Sequence, residues 1–255
     1  MGRNSISIRA SDNSIVKLEC YDRLPSVVDA ARGYARAGYP DRYAIIAEYD
    51  EKFPDARGVY MSLILRPSIF PSQAGLLSSL AAVALATALE EYTTKPVGIG
   101  WVSSIYCNGK QIGGVSIEGK LDNFTTYEYI IVNFGVRLSD EDFPPRVTDL
   151  IKKVFESDNN SVATIIAKTI LSKFFSLYPS MKNHTKFMNI YRQKFALAGT
   201  KVKYITDGKR SSCRILNVDP DDCGLIVELK DKSIKKITTP TSVIIPKTVK
   251  LPKKQ

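Results

Sequence analysis

Residues 15–21 alternate apolar and polar positions closely enough to predict a strand with one buried face. Residues 22–25 interrupt that pattern. Ser26 then stands where a helix N-cap belongs, ahead of VVDAARGYARAG, with Asp29 in the first turn where a carboxylate suits the helix dipole. Gly38 and Pro40 predict the end of that helix. Residues 43–49 and 58–65 read as strands, and Pro71 opens an Ala/Leu-rich helix that runs to about Tyr92. Residues 97–106 and 111–118 predict two strands joined at Asn108-Gly109, since an N-G pair between apolar runs favours a tight hairpin. Residues 127–138 predict another strand, and residues 144–155, 162–177 and about 180–195 predict helices. The sum is an α+β class: a mostly antiparallel sheet with helices gathered on one side.

The period changes after Gly199. KVKYI, SCRILNV, GLIVELK and SIKKITTP are short strand patterns separated by Asp207-Gly208, Asp219-Pro220 and Asp231, as in a small β-barrel. This predicts a large domain over residues 1–194, a small one over 195–248 and a frayed basic tail over 249–255.

Composition narrows the class. The chain has 255 residues, 44% of them hydrophobic, which is ample for a packed core. Its most apolar stretch, residues 74–89, is shorter than the ~20 residues a membrane span needs. A buried helix and no membrane association are expected. The N-terminus lacks the apolar core of a signal peptide. Cys20, Cys107, Cys213 and Cys223 make no C-x-x-C pair and His184 is the single histidine, so a zinc site is not expected. The cysteines read as reduced thiols of a cytoplasmic protein. The N-x-T matches at Asn123 and Asn183 therefore carry no weight as glycosylation sites.

The net charge of +10 is unevenly distributed. Residues 1–150 hold 15 basic against 18 acidic side chains, and residues 151–255 hold 21 against 8. The basic half suits an acidic partner or nucleic acid, or is a solvated surface. Tyr204 is the only aromatic residue after Gly199, and the lack of stacking platforms argues against nucleic acid.

Three blocks, in order, resemble bacterial biotin–protein ligases. Residues 18–52 are similar to the opening of that catalytic domain, ALEEYTTKPVGIGWVSSIYCNGKQIGGVSIEG to its central block, and FALAGTKVKYITDG…GLIVELKDKSIKKI to its SH3-like C-terminal domain. The resemblance implies a class II synthetase-like ligase core followed by an SH3-like barrel. It also implies an activity: joining biotin to ATP as biotinyl-5′-adenylate, with MgATP, and passing biotin to a lysine of a biotin carboxyl carrier domain. Family members also dimerise through the central sheet, so a homodimer is a further expectation. Many carry an N-terminal DNA-binding winged helix, which the short lead before the first predicted strand is not expected to supply.

The chain departs from the family pattern where the chemistry would occur. The glycine/arginine-rich loop G-R-G-R-x-G is replaced by AEYDEKFPDARGVY, where Lys52 and Arg57 are the nearby cations. Asp50 stands where the family has a biotin-binding Gln, and a carboxylate there faces another carboxylate. The block K-W-P-N-D becomes Gly100-Trp101-Val102-Ser103-Ser104, which keeps Trp101 and offers two hydroxyls in place of Asn and Asp. The family lysine before the glycine turn is matched by Gln111, with Lys110 one position earlier and Gly113 and Gly114 just after. Lys110 serves only if the strand slips or bulges. Ser-Thr-Asn becomes Ser26-Val27-Val28. G-x-G-x-N becomes Asn133-Phe134-Gly135-Val136-Arg137, which introduces Arg137.

The candidate ligand-binding residues are thus Ser26, Asp50, Arg57, Trp101, Ser103, Ser104, Gly113 and Gly114. Lys110, Gln111 and Arg137 are candidates for catalysis, and no metal ligand is expected. Each has a plainer reading: Ser26 as a helix cap, Trp101 as core, the serines and glycines as hairpin residues, Arg137 as a surface cation. Losing one transition-state donor costs ~100- to 1,000-fold in rate, and several are lost here. The favoured expectation is a catalytically impaired or noncatalytic relative that binds a small ligand or a carrier domain. The alternatives are an active divergent ligase with a rebuilt site and a basic nucleic-acid-binding adaptor.

Overall fold

The computed structural model describes residues 3–10, 12–53, 57–122, 125–138, 161–206 and 209–251. Its first sheet has eight strands: β1 (Arg3–Arg9), β2 (Ile15–Leu24), β3 (Tyr43–Asp50), β4 (Gly58–Leu65), β5 (Val97–Gly100), β6 (Ser104–Cys107), β7 (Lys110–Leu121) and β8 (Tyr127–Arg137). They are ordered β1-β2-β3-β4-β8-β7-β6-β5. All pairs are antiparallel except β2–β3, which run parallel on either side of helix α1 (Val27–Arg36). The α+β class is therefore as expected.

Alternation along the strands gives the sheet two apolar faces. On one, Val27, Ala31 and Ala35 of α1 pack on Ile45, Ala47, Tyr60, Ile64 and Ile131. The main core lies on the other, under α2 (Ala74–Leu89), α3 (Val162–Leu177) and α4 (Thr185–Gln193). Helix α2 is apolar all round and buried nearly all round, because α3 and α4 cover what the sheet does not. Pro71–Leu89 is long and apolar enough to cross a membrane by composition, but this packing already accounts for its character.

Five strands form a second, antiparallel sheet: β9 (Lys201–Thr206), β10 (Lys209–Val218), β11 (Leu225–Glu228), β12 (Ile234–Ile237) and β13 (Val243–Ile244), in the order β12-β11-β10-β9-β13. The first four match the short strand patterns after Gly199.

Several expectations need correction. Residues 3–9, with no strand expected, pair with residues 15–21 of β2. The single strand expected over 97–106 is two antiparallel strands, because the chain reverses at residues 101–103. The helix expected over 180–195 is α4 preceded by a 3₁₀ turn, Tyr178–Lys182. Val249, in the tail expected to fray, bonds along the β6–β7 hairpin, with Thr248 beside it. The helix expected over 144–155 and the turn at Asp207-Gly208 lie outside the described residues. The hairpin at Asn108-Gly109 is as expected, with both residues at positive φ, 50° and 80°.

Candidate functional site

A cavity of about 340 Å³ opens on the α1 face of the large sheet, beyond the N-terminus of that helix. Cross-strand register builds its floor. Ser62 pairs with Asn133, and Asn133 with Ser116, so three polar side chains cross β4, β8 and β7 in one row. Ser62 Oγ donates to Asn133 Oδ1 at 2.7 Å, and Asn133 Nδ2 donates to Ser116 Oγ and to Glu118 Oε1, each at 3.4 Å. A second row, two residues on, runs Tyr60, Gly135, Gly114 and Ser104. The missing side chain at Gly135 leaves room above this row, whereas Gly114 lies close against the Ser103 carbonyl.

Of the expected ligand residues, Asp50, Ser103, Ser104, Gly113 and Gly114 line the cavity together with Gln111. Asp50 is buried, and both its oxygens accept backbone N–H groups, from Val27 and from Lys52, each at 2.9 Å. Ser103 Oγ lies 2.7 Å from Ser78 Oγ, which ties the loop to α2. Ser26 is a helix cap, its Oγ accepting the Asp29 N–H at 3.1 Å. Trp101 does not line the cavity: its ring is in the core and its indole N–H donates to the Cys223 carbonyl at 2.8 Å, across to the second sheet.

The cations divide into two groups. Arg57 is ion-paired with Glu48. Lys52 pairs with Asp29, and Arg32 with Asp29 and Glu118. The Lys52 ammonium holds the exposed Asp29 carboxyl at about 2. Arg137, by contrast, reaches over the cavity mouth, where its Nη2 donates to the Gln111 carbonyl at 3.3 Å. The strand does bulge here. Ile105 pairs with Gly113 but Tyr106 with Gln111, which leaves Ile112 as the extra residue. The bulge nevertheless leaves Gln111, not Lys110, on the cavity side.

Sequence reasoning missed Ser62, Ser116, Phe53 and Tyr60 as lining residues, and noted Asn133 only as a departure from the glycine pattern. The one local signal was Ser62, a lone polar residue in the apolar run of β4. Burial pushes the Tyr60 phenol up to about 12, with the Asp50 carboxylate adding to the rise and Arg137 opposing it. Among the described residues no group of three or more His, Cys, Asp or Glu side chains comes together. Ser103 and Ser104 offer hydroxyls where a magnesium ion would need carboxylates, so the donor set does not fit a protein-held metal.

Comparison with known proteins adds a lineage to this geometry. No family model matches the sequence. The bifunctional ligase/repressor BirA of Bacillus subtilis (strain 168) is 27% identical over 188 residues, 72% of this chain and 57% of the relative. The chain thus spans little more than half the length of that relative. Biotin protein ligase from Aquifex aeolicus, solved in complex with biotin and ATP, superposes with a TM-score of 0.66 at 17% identity, covering 91% of this chain and 99% of that one. In sequence and in fold the chain is similar to biotin–protein ligases. A biotin protein ligase-like protein of unknown function from Silicibacter sp. TM1040 also shares the fold, with a TM-score of 0.60 at 15% identity over 90% of this chain and 97% of that one. The biotin–protein ligase fold is therefore preserved here around a cavity whose polar groups are hydroxyls, amides and one carboxylate.

Proposed function

We propose that this chain is a biotin–protein ligase relative whose cavity binds a small ligand without adenylating it. The observation that carries the reading is the charge of the lining: Asp50 is its one carboxylate, and no lysine or arginine lines the cavity among the described residues. Adenylation builds negative charge on the α-phosphate, and preorganised cationic and N–H donors are what stabilise it. The Asp50 carboxylate works in the opposite sense. Ser62, Ser116 and the Asn133 amide suit an uncharged hydrogen-bonding head instead.

The same reading assigns residues 1–194 to the ligase-like domain and 195–248 to an SH3-like one, and places the protein in the cytoplasm with a biotin carboxyl carrier domain as the candidate macromolecular partner. An active divergent ligase is the second reading, and Arg137 at the cavity mouth favours it.

Intact-mass analysis of a carrier domain incubated with the protein, biotin and MgATP separates the two. The proposal expects no biotin mass increment at high protein concentration while a control ligase gives one. An increment that Arg137→Ala abolishes establishes the divergent ligase.

A further inference from the structure

A second groove, of about 420 Å³, is continuous with the cavity through Phe53, Tyr60, Gln111, Gly113, Gly114 and Gly135. It adds two cations, Arg137 and Lys247, that are distant in the chain. Arg137 ends β8. Lys247 belongs to the segment after β13, which is pinned along the β6–β7 hairpin. The Tyr106 hydroxyl donates to the Pro246 carbonyl, the Gln111 N–H to the Lys247 carbonyl at 2.8 Å, and the Val249 N–H to the Gly109 carbonyl at 2.7 Å. The backbone of Lys247 is therefore fixed while its side chain remains exposed.

Arg137 donates to the carbonyl of the same residue, Gln111, whose N–H holds Lys247. One residue, Gln111, thus holds the Arg137 guanidinium and the Lys247 backbone at one rim. Among the described residues neither forms an ion pair, in contrast to Arg32, Lys52 and Arg57. The wall beside them is apolar: the half-exposed Phe53 ring stacks on Tyr60 at 5.4 Å between centroids and 4° between planes.

We propose that Arg137 and Lys247 form an anion subsite at the cavity mouth, taking the carboxylate or phosphate end of a ligand whose uncharged part lies against Phe53 and Tyr60. The proposal rests on the reading of the cavity as a small-ligand site and adds the charge of the ligand and the residues that select it. It also makes binding depend on the segment after β13, because without it the groove loses one of its two cations. Two cations at a concave rim attract an anion more than either alone, and added salt weakens that attraction.

Calorimetric titration of the full chain with biotin, its alcohol biotinol and AMP tests this. A carboxylate ligand is expected to bind as biotin, a phosphate one as AMP. Arg137→Gln and Lys247→Gln are each expected to weaken the anionic probe by about three- to tenfold. Lys247→Arg retains affinity, and biotinol binding does not distinguish the wild type from any variant. Both substituted side chains are exposed, so unchanged thermal midpoints check that the variants fold. An anionic probe bound equally by wild type and both glutamine variants, or biotinol bound as tightly as biotin when AMP does not bind, overturns the subsite and leaves the small-ligand reading standing. Failure of all three probes to bind overturns both.

Discussion

Asp50 illustrates how a single residue changes meaning between sequence and structure. The sequence resemblance makes it a candidate ligand contact, yet both carboxylate oxygens are engaged by backbone N–H groups. Those bonds join the first residue of α1 to the end of β3 and give the buried charge partners in place of water. Asp50→Ala is expected to lower stability by about 2 kcal/mol, the scale of a hydrogen bond to a charged group, read as an earlier urea midpoint. Asp50→Asn keeps a carbonyl acceptor and is expected to lose less. An unchanged midpoint for Asp50→Ala contradicts the capping role and returns the residue to the ligand. The Ser26 cap was legible in the sequence because its N–H donor is three residues away. The Asp50 contact spans 23 residues, and no local pattern records it. The same holds for Ser62 and Asn133, 71 residues apart in the chain but neighbours on adjacent strands.

At the level of elements, the glycines of β7 and β8 decide the shape of the site. A Cβ on Gly113 would lie 1.9 Å from the Gly135 carbonyl, whereas one on Gly135 would meet Tyr60 at 3.9 Å, an ordinary contact. Gly113→Ala must therefore push β7 off β8 beside the bulge at Ile112. A loss of about 2 to 3 kcal/mol is expected, typical of overpacking, in chemical denaturation. Gly135→Ala is expected to stay within about 1 kcal/mol of wild type while narrowing the cavity. Equal losses for the two variants would refute the close approach of β7 and β8. The hairpin itself was legible, since Asn108-Gly109 carries its turn locally. The break at residues 101–103 was not, because long-range contacts hold it. Trp101 bonds to Cys223, Ser103 to Ser78, and the Gly100 carbonyl accepts from the Tyr191 hydroxyl at 3.2 Å. Strand β1 was hidden for a related reason: its RNSISIR is too polar to stand out until β2 pairs with it.

Over the whole molecule, burial of tyrosines sets a pH limit. Burial raises the phenols of Tyr60, Tyr106 and Tyr178 to about 12. It raises those of Tyr21, Tyr43 and Tyr191 as well, with hydrogen bonds to Tyr34 and Glu19 adding to the shift at Tyr21 and one to Glu19 adding to it at Tyr43. In the unfolded chain these groups ionise near pH 10. Between about pH 10 and about pH 12 the unfolded state therefore binds fewer protons than the native one, and unfolding becomes easier as pH rises. Buried Cys223, raised to about 11, acts in the same direction and widens the window downward. The acid side works through carboxylates such as Asp29 and Asp231, which are held low by exposed partners and are screened by solvent. The alkaline flank is thus expected to be the steeper one. Urea midpoints should hold level up to about pH 9 and fall progressively above about pH 10. A midpoint that stays level through about pH 12 would mean that these rings are open to solvent in the native state. The packing of α1 on the sheet, and with it the wall of the cavity, would then be wrong.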